Sequence, residues 1–240
     1  MKHEAIGVMT QARVGFSHTY AAVFNAFRAC NLPLKFRCGA FMEQNLSNLF
    51  EDALAEDPDY IISCEYDCIF SSEDIESLLA IMRSDASIDA VFAAQPPRHF
   101  FGQIMASVRR PDGFCSVVGV QPKPVEADLL KCNAGHFGLT VIRASSLRAL
   151  PKPYLNGSPG DDGMWVHRDE GGGKIDPDIS FWMKAEEAGW NVYLATKVRI
   201  GHLVEMIAWP DETYQTHLQN VNDWHKTGRP ATIFEDKVNE

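Results

Sequence analysis

From residue 4 to residue 94 the chain alternates short, unbroken apolar runs with stretches in which apolar positions recur every three or four residues. That pattern lays parallel strands beside crossover helices. Ala5 to Met9 and Leu34 to Cys38 read as strands. Between them Tyr20, Val23, Phe24 and Phe27 mark one face of a helix over His18 to Cys30, closed by Pro33. Leu46, Leu49, Phe50, Ala53 and Leu54 mark the next helix. Asp57-Pro58-Asp59 then turns the chain into Tyr60-Ile61-Ile62-Ser63-Cys64, a run whose apolarity predicts a buried central strand. Ser71 to Asp74 has the form of a capping box with a shorter acid, ahead of the helical stripe Ile75, Leu78, Leu79 and Met82. Ala90 to Ala94 is a fourth strand.

Beyond residue 94 the periodicity breaks up. Pro and Gly punctuate shorter segments, among them Phe114 to Val120 and Leu139 to Arg143, which suit short strands able to pair antiparallel. No internal repeat and no low-complexity tract stands out, and Gly171-Gly172-Gly173 is too short for an interdomain linker. A length of 240 residues with 45% hydrophobic content suits one α/β domain around a single core. Residues 156–174 form a long loop for so compact a domain, of the kind used as a lid or an acceptor-binding element.

Composition narrows the function classes. A net charge of −10 repels phosphate backbones, so general nucleic-acid binding is disfavoured; Arg98, Arg109 and Arg110 make either a local basic cluster or a solvated face. No apolar stretch approaches the roughly 20 residues of a membrane helix, and Met1-Lys2-His3-Glu4 runs directly into the first strand. The expected location is cytoplasmic, with the six cysteines reduced.

Three places carry chemistry. Glu65-Tyr66-Asp67 ends the central strand, where open α/β sheets bind ligands. If the strand continues, Glu65 and Asp67 share a face and can meet one hard cation such as Mg2+ or Mn2+, with Tyr66 turned away. A solvated acidic turn fits the same three residues equally well. In the segment from Asp176, Asp176 caps a helix, Pro177 suits its first position and Gly189 supplies the left-handed exit. Asp178 falls in the first turn, where free N–H groups favour its ionised form; it is either a general base or a stabiliser of the helix start. His202 follows Gly201 at the end of the run Val192 to Ile200, as a packed side chain or a metal ligand. Zinc is disfavoured. In an extended chain the Cys64 and Cys68 sulfurs lie about 13 Å apart, too far for one ion. No Gly-x-Ser-x-Gly elbow, Walker loop or Gly-x-Gly-x-x-Gly is present.

The run YIISCEYDCIFSSEDIESLL resembles the strand, Asp-x-Asp motif and helix of GT-A fold glycosyltransferases, especially the family 2-like enzymes. NAGHFGLTVIRASSLRAL (residues 133–150) resembles their Gly-rich turn and strand lining the sugar site. DPDISFWMKAEEAGWNVYLATKVRIGHL (residues 176–203) resembles their Glu-Asp-x-x-Phe helix and the strand leading to a metal-binding His. Two departures stand out: Glu65 replaces the first Asp of the motif, and Pro177 replaces the acid before the catalytic Asp.

The resemblance implies a GT-A, Rossmann-like fold with a mostly parallel central sheet and an irregular second half. It divides the chain into a nucleotide-binding half (about 4–94), a sugar and acceptor half (about 95–203) and a C-terminal extension (204–240). It further implies Mn2+ or Mg2+ held by Asp67, His202 and Glu65, with Thr10, Gln11, Arg13 and Tyr66 contacting the nucleotide. Gly135, His136, Phe137, Asp176 and Trp165 fall at the sugar and acceptor, and Asp178 is the base of an inverting single displacement from a nucleotide-sugar, of UDP type, to an acceptor hydroxyl. A nucleotidyltransferase and a non-catalytic nucleotide- or glycan-binding protein are the rival readings.

Overall fold

The computed structural model describes residues 2–11, 15–98, 104–109, 115–117, 127–156 and 176–230. Arg13, Arg110 and Trp165 lie outside the described residues, as does nearly all of the loop 156–174. The first half runs β1 (Ala5–Gln11), α1 (Ser17–Ala29), β2 (Leu34–Cys38), α2 (Met42–Leu54), β3 (Tyr60–Glu65), β4 (Cys68–Ile69), α3 (Ser72–Ser84) and β5 (Ala90–Ala94). The second half continues with β6 (Ser107–Arg109), β7 (Cys115–Val117), β8 (Leu129–Cys132), β9 (Leu139–Arg143), α4 (Ala144–Ala149) and α5 (Pro177–Glu187). β10 (Val192–Arg199), β11 (Gly201–His202), β12 (Met206–Pro210), β13 (Thr216–Asn220) and α6 (Val221–Thr227) close the described chain.

A seven-stranded sheet in the order β2-β1-β3-β9-β5-β10-β8 organises these elements. β1 pairs parallel with β2 and β3, and β5 pairs parallel with β10. β9 runs antiparallel between β3 and β5, and β8 runs antiparallel along β10. The result is a mixed α/β fold with a mostly parallel, Rossmann-like central sheet. Alternation along the strands serves two apolar layers. Ile61 joins Phe50, Phe92, Phe181 and Trp182 on the α2 and α5 side. Ile62 joins Val23, Phe27, Leu78 and Val141 on the α1 and α3 side.

Local signals set the ends of the helices that flank the site. The Ser71 N–H donates to Asp74 Oδ2 at 2.8 Å, fixing the start of α3 directly after the acidic motif. Pro177 opens α5 and Gly189 follows its end at φ +77°, a conformation glycine adopts without cost. Asp176 holds the N-cap position, although its side chain makes no capping hydrogen bond.

One irregularity shapes the corner beside the acidic motif. β10 keeps register with β5 from Val192 to Ala195, then shifts so that Arg199 faces Ala94. This bulge redirects the chain, and the next residues leave the main sheet to pair with β4, Gly201 opposite Ile69 and His202 opposite Cys68.

Candidate functional site

β3 ends at Glu65, and residues 66–67 form a turn before β4. The motif is therefore not a continued strand, and Tyr66 is not turned away from its neighbours as alternation predicts. The turn still gathers the acids: the ligand atoms of Glu65, Asp67 and Cys68 all lie within 4.8 Å of one another. The pairing of β4 with β11 adds His202, and the Leu203 N–H closes the corner on the Asp67 carbonyl at 2.8 Å. Because the segment bends, the extended-chain spacing used against zinc does not hold. Among the described residues Cys68, not Cys64, joins the cluster. Its thiol is held well above its usual range by burial and then by the Glu65 charge, so it is a neutral donor towards Asp67 Oδ1 at 3.7 Å.

Asp67 has no solvent exposure. A carboxylate so placed needs a partner, and besides the Cys68 thiol it meets His202 and Arg98. His202 Nδ1 lies 2.9 Å from the Pro96 carbonyl. That bond assigns the ring proton to Nδ1 and leaves the Nε2 lone pair, 3.1 Å from Asp67 Oδ2, facing inward. Burial, and then the nearby Arg98 charge, lower the His202 pKa, whereas the Pro96 bond opposes them, so the ring is the neutral form that ligates metals. Arg98 completes the arrangement. Its Nη2 is ion-paired with Asp67 Oδ2, its Nε donates to His202 Nε2 at 3.0 Å, and Nη2 also reaches the Tyr66 hydroxyl at 3.1 Å. The residues therefore suit a divalent cation: Asp67 clusters with Glu65, and a neutral imidazole approaches the same Asp67 oxygen that the Arg98 guanidinium holds.

Beside this centre a cavity of about 280 Å³ opens at the carboxyl ends of β1 and β3. Thr10, Gln11, Glu65, Tyr66 and Arg98 line it, together with Met42 and the Gly39–Ala40 backbone. Thus three of the residues the resemblance gives to the nucleotide share one cavity with a proposed metal ligand. Asp178 bears on the same place from α5, since its charge, after burial, pushes the Glu65 carboxyl up to about 7. Asp178 itself is pushed up to about 7 by burial, then by Asp176 and Glu43. The helix start on its own favours an ionised Asp178. Burial and like charge outweigh the helix start here, and Oδ1 is buried without a hydrogen-bond partner among the described residues.

The Gly135-His136-Phe137 segment is placed differently from expectation. His136 is buried, with Nε2 2.8 Å from the Ala93 carbonyl and Nδ1 accepting the Gly138 N–H at 3.0 Å. Phe137 stacks on Trp182 at 5.1–5.5 Å from its core neighbours Phe181 and Trp182. Gly135 lies under the Phe92 ring, which an added Cβ would meet at 2.6 Å. Neither side chain offers a free polar group or an open face to a sugar, so the segment builds the floor rather than the lining. Gly138 is the tightest point of that floor. A Cβ there would lie 2.3 Å from Gln95 Oε1 and 2.8 Å from Cys68 Sγ, directly beneath the acidic cluster. Asp176 is exposed at the head of α5. The participant that sequence reasoning missed is Arg98, which was read only as one member of a basic scatter.

Comparison with known proteins gives the fold a context. No family profile matches the chain, and no curated protein matches it. Among solved structures, the crystal structure of A197 from STIV superimposes with a TM-score of 0.56 at 11% identity, over 89% of this chain and 94% of that one. The mannosyltransferase PcManGT from Pyrobaculum calidifontis, in complex with GDP-Man and Mn2+, gives a TM-score of 0.47 at 9% identity. That match covers 85% of this chain and 58% of the mannosyltransferase, so this chain spans little more than half its length.

Proposed function

We propose that the chain is a metal-dependent glycosyltransferase with a GT-A type fold, which moves a sugar from a nucleotide-sugar to an acceptor hydroxyl. One observation carries this reading: Asp67 clusters with Glu65 and Cys68 and lies 3.1 Å from His202 Nε2, beside a cavity that Glu65 lines together with Thr10, Gln11 and Tyr66. The resemblance of the three sequence segments supplies the reaction, and the geometry supports it by bringing distant residues of those segments together.

In this reading the cavity holds the nucleoside diphosphate, and Asp67, His202 and Glu65 hold Mn2+ or Mg2+. The bound ion supplies charge neutralisation for the departing diphosphate. The protein does the rest. Buried Asp67 fixes where that charge is met, and His202 keeps its lone pair aimed inward through its bond to Pro96. Asp178 takes the proton of the acceptor hydroxyl as that oxygen bonds to the anomeric carbon, while the bond from that carbon to the diphosphate oxygen breaks. A carboxylate with a pKa near 7 is a better-matched base at neutral pH than an ordinary aspartate. Attack opposite the leaving group inverts the anomeric centre. The donor assigned by the resemblance is UDP-linked.

A thermal-shift screen of UDP-, GDP- and CMP-sugars, with and without Mn2+, tests the reading, because a ligand that binds the folded state raises its melting temperature. A nucleotide-sugar should stabilise the protein only when Mn2+ is present, and Asp67→Ala should abolish the shift. Stabilisation that survives EDTA sinks the metal bridge, and pyrophosphate release from a nucleoside triphosphate makes the protein a nucleotidyltransferase instead.

A further inference from the structure

The guanidinium of Arg98 sits where the cation position lies. It meets Asp67 Oδ2, the His202 Nε2 lone pair and the Tyr66 hydroxyl, and it lies 5.6 Å from the centre of the Tyr66 ring. We propose that Arg98 is a resident counter-ion for Asp67 that a divalent cation displaces, and that the displaced guanidinium then binds the diphosphate of the donor. The proposal rests on the metal and nucleotide reading of this site and assigns Arg98 a role within it.

Four observations carry the exchange. Asp67 has no solvent exposure, so losing its counter-charge without replacement would leave a buried, unpaired carboxylate. The ion pair therefore fills that need and holds the carboxylate in place before metal arrives. Second, the Asp67 and His202 atoms that grip Arg98 are the same Oδ2 and Nε2 that a metal ion would use, so the two cations exclude each other. Third, the Arg98 side chain is 40% exposed and lines the cavity together with Thr10, Gln11 and Glu65. Swinging off Asp67 leaves it inside the donor cavity rather than in bulk water. Fourth, Asn220 Nδ2 donates to the Arg98 carbonyl at 3.4 Å, which ties the backbone to β13 while the side chain changes partner. The planar fork that spans Asp67 and His202 is also suited to two oxygens of a phosphate.

Such a site takes metal and diphosphate together more readily than either alone. Metal alone has to expel Arg98 beside a doubly charged ion. Diphosphate alone meets Asp67 and Glu65 with Arg98 already engaged. By linkage each ligand tightens the other.

The test is calorimetric titration of Mn2+ into the full chain, followed by titration of UDP or GDP at saturating Mn2+. Arg98→Gln should bind Mn2+ alone about tenfold or more tightly than the wild type, and the nucleoside diphosphate about tenfold or more weakly, within the usual range of coupling between sites. Arg98→Lys keeps a charge for the buried acid but lacks the fork. It should fall between the two, and it stands in should the Gln variant lose its circular dichroism signature. Asp67→Asn should lose Mn2+ in either background. Mn2+ binding that needs Asp67 but is no tighter in Arg98→Gln or Arg98→Lys overturns the exchange while leaving the metal site standing. Unchanged diphosphate affinity in both variants overturns the hand-over. Mn2+ binding insensitive to Asp67→Asn removes the metal reading and the proposal with it.

Discussion

At the scale of single residues, Asp178 shows how the fold changes the charge state that a helix start alone would favour. The helix start supplies only a partial charge, whereas burial and the charges of Asp176 and Glu43 act in a water-poor setting and push the carboxyl up to about 7. For a base this is an advantage, with a cost at low pH. Transfer should therefore rise with pH up to about 7 as Asp178 loses its proton, then level off. Asp178→Asn, which keeps the volume and suits a helix start, should lower kcat by two to four orders of magnitude, roughly the worth of a positioned base, with donor affinity little changed. Product stereochemistry and initial rates check this, and wild-type turnover in the Asn variant would remove Asp178 from the chemistry. Glu65, Asp67 and His202 were legible because acid spacing and strand-end position are written in the chain. Arg98 was not. Nothing in its neighbourhood says that a guanidinium four residues past β5 meets side chains 31 and 104 positions away, and only the fold makes that contact.

Among elements, the strands and helices up to residue 94 fall where their apolar periodicity puts them. β1, β3 and β5 are buried runs and α1, α2 and α3 one-sided helices, whereas β2 is a partly exposed edge strand. α3 is the clearest case, and its capping interaction can be weighed. Asp74→Ala removes the acceptor for the Ser71 N–H and should destabilise the protein by about 1 kcal/mol, the usual worth of such a cap, measurable by urea unfolding. An unchanged midpoint would mean that the segment from the 66–67 turn to Ser71 holds α3 without it. The second half resisted reading for a physical reason. β9 falls on Leu139–Arg143 and pairs antiparallel as its setting suggests, but nothing local states that it enters between β3 and β5. The β10 bulge is equally silent, although it delivers His202 to β4 and so assembles the site. His136 shows the reverse error. A histidine in a Gly-rich segment was given to the sugar, but the fold uses both ring nitrogens to hold Ala93 and Gly138.

For the molecule as a whole, the buried acids make stability depend on pH in a direction that can be worked out. The ordinary value for Asp178 is 3.8, and the folded protein raises it to about 7; Glu65 moves from 4.5 to about 7 in the same sense. Below both ordinary values the folded and unfolded chains hold these protons alike, and the stability associated with them is fully present. Between about 4 and 7 the unfolded chain has released protons that the folded chain retains, so this stability is lost as pH rises through the folded values. Two histidines oppose the trend. His136 is lowered to about 4 by burial and His202 is lowered as well, so their contribution is present above 6.5 and is lost as pH falls through the folded values. Wild-type melting curves alone mix the two effects, but a comparison with Asp178→Asn cancels the histidines. The variant should melt increasingly above the wild type as pH rises from 4 to 7, with no further change beyond, and Mn2+ should stabilise the wild type more at pH 8 than at pH 5 because it neutralises acids that are then ionised. Differential scanning calorimetry across that range measures both. A gap that instead shrinks as pH rises would mean that the helix start holds Asp178 ionised after all, as the sequence alone suggests.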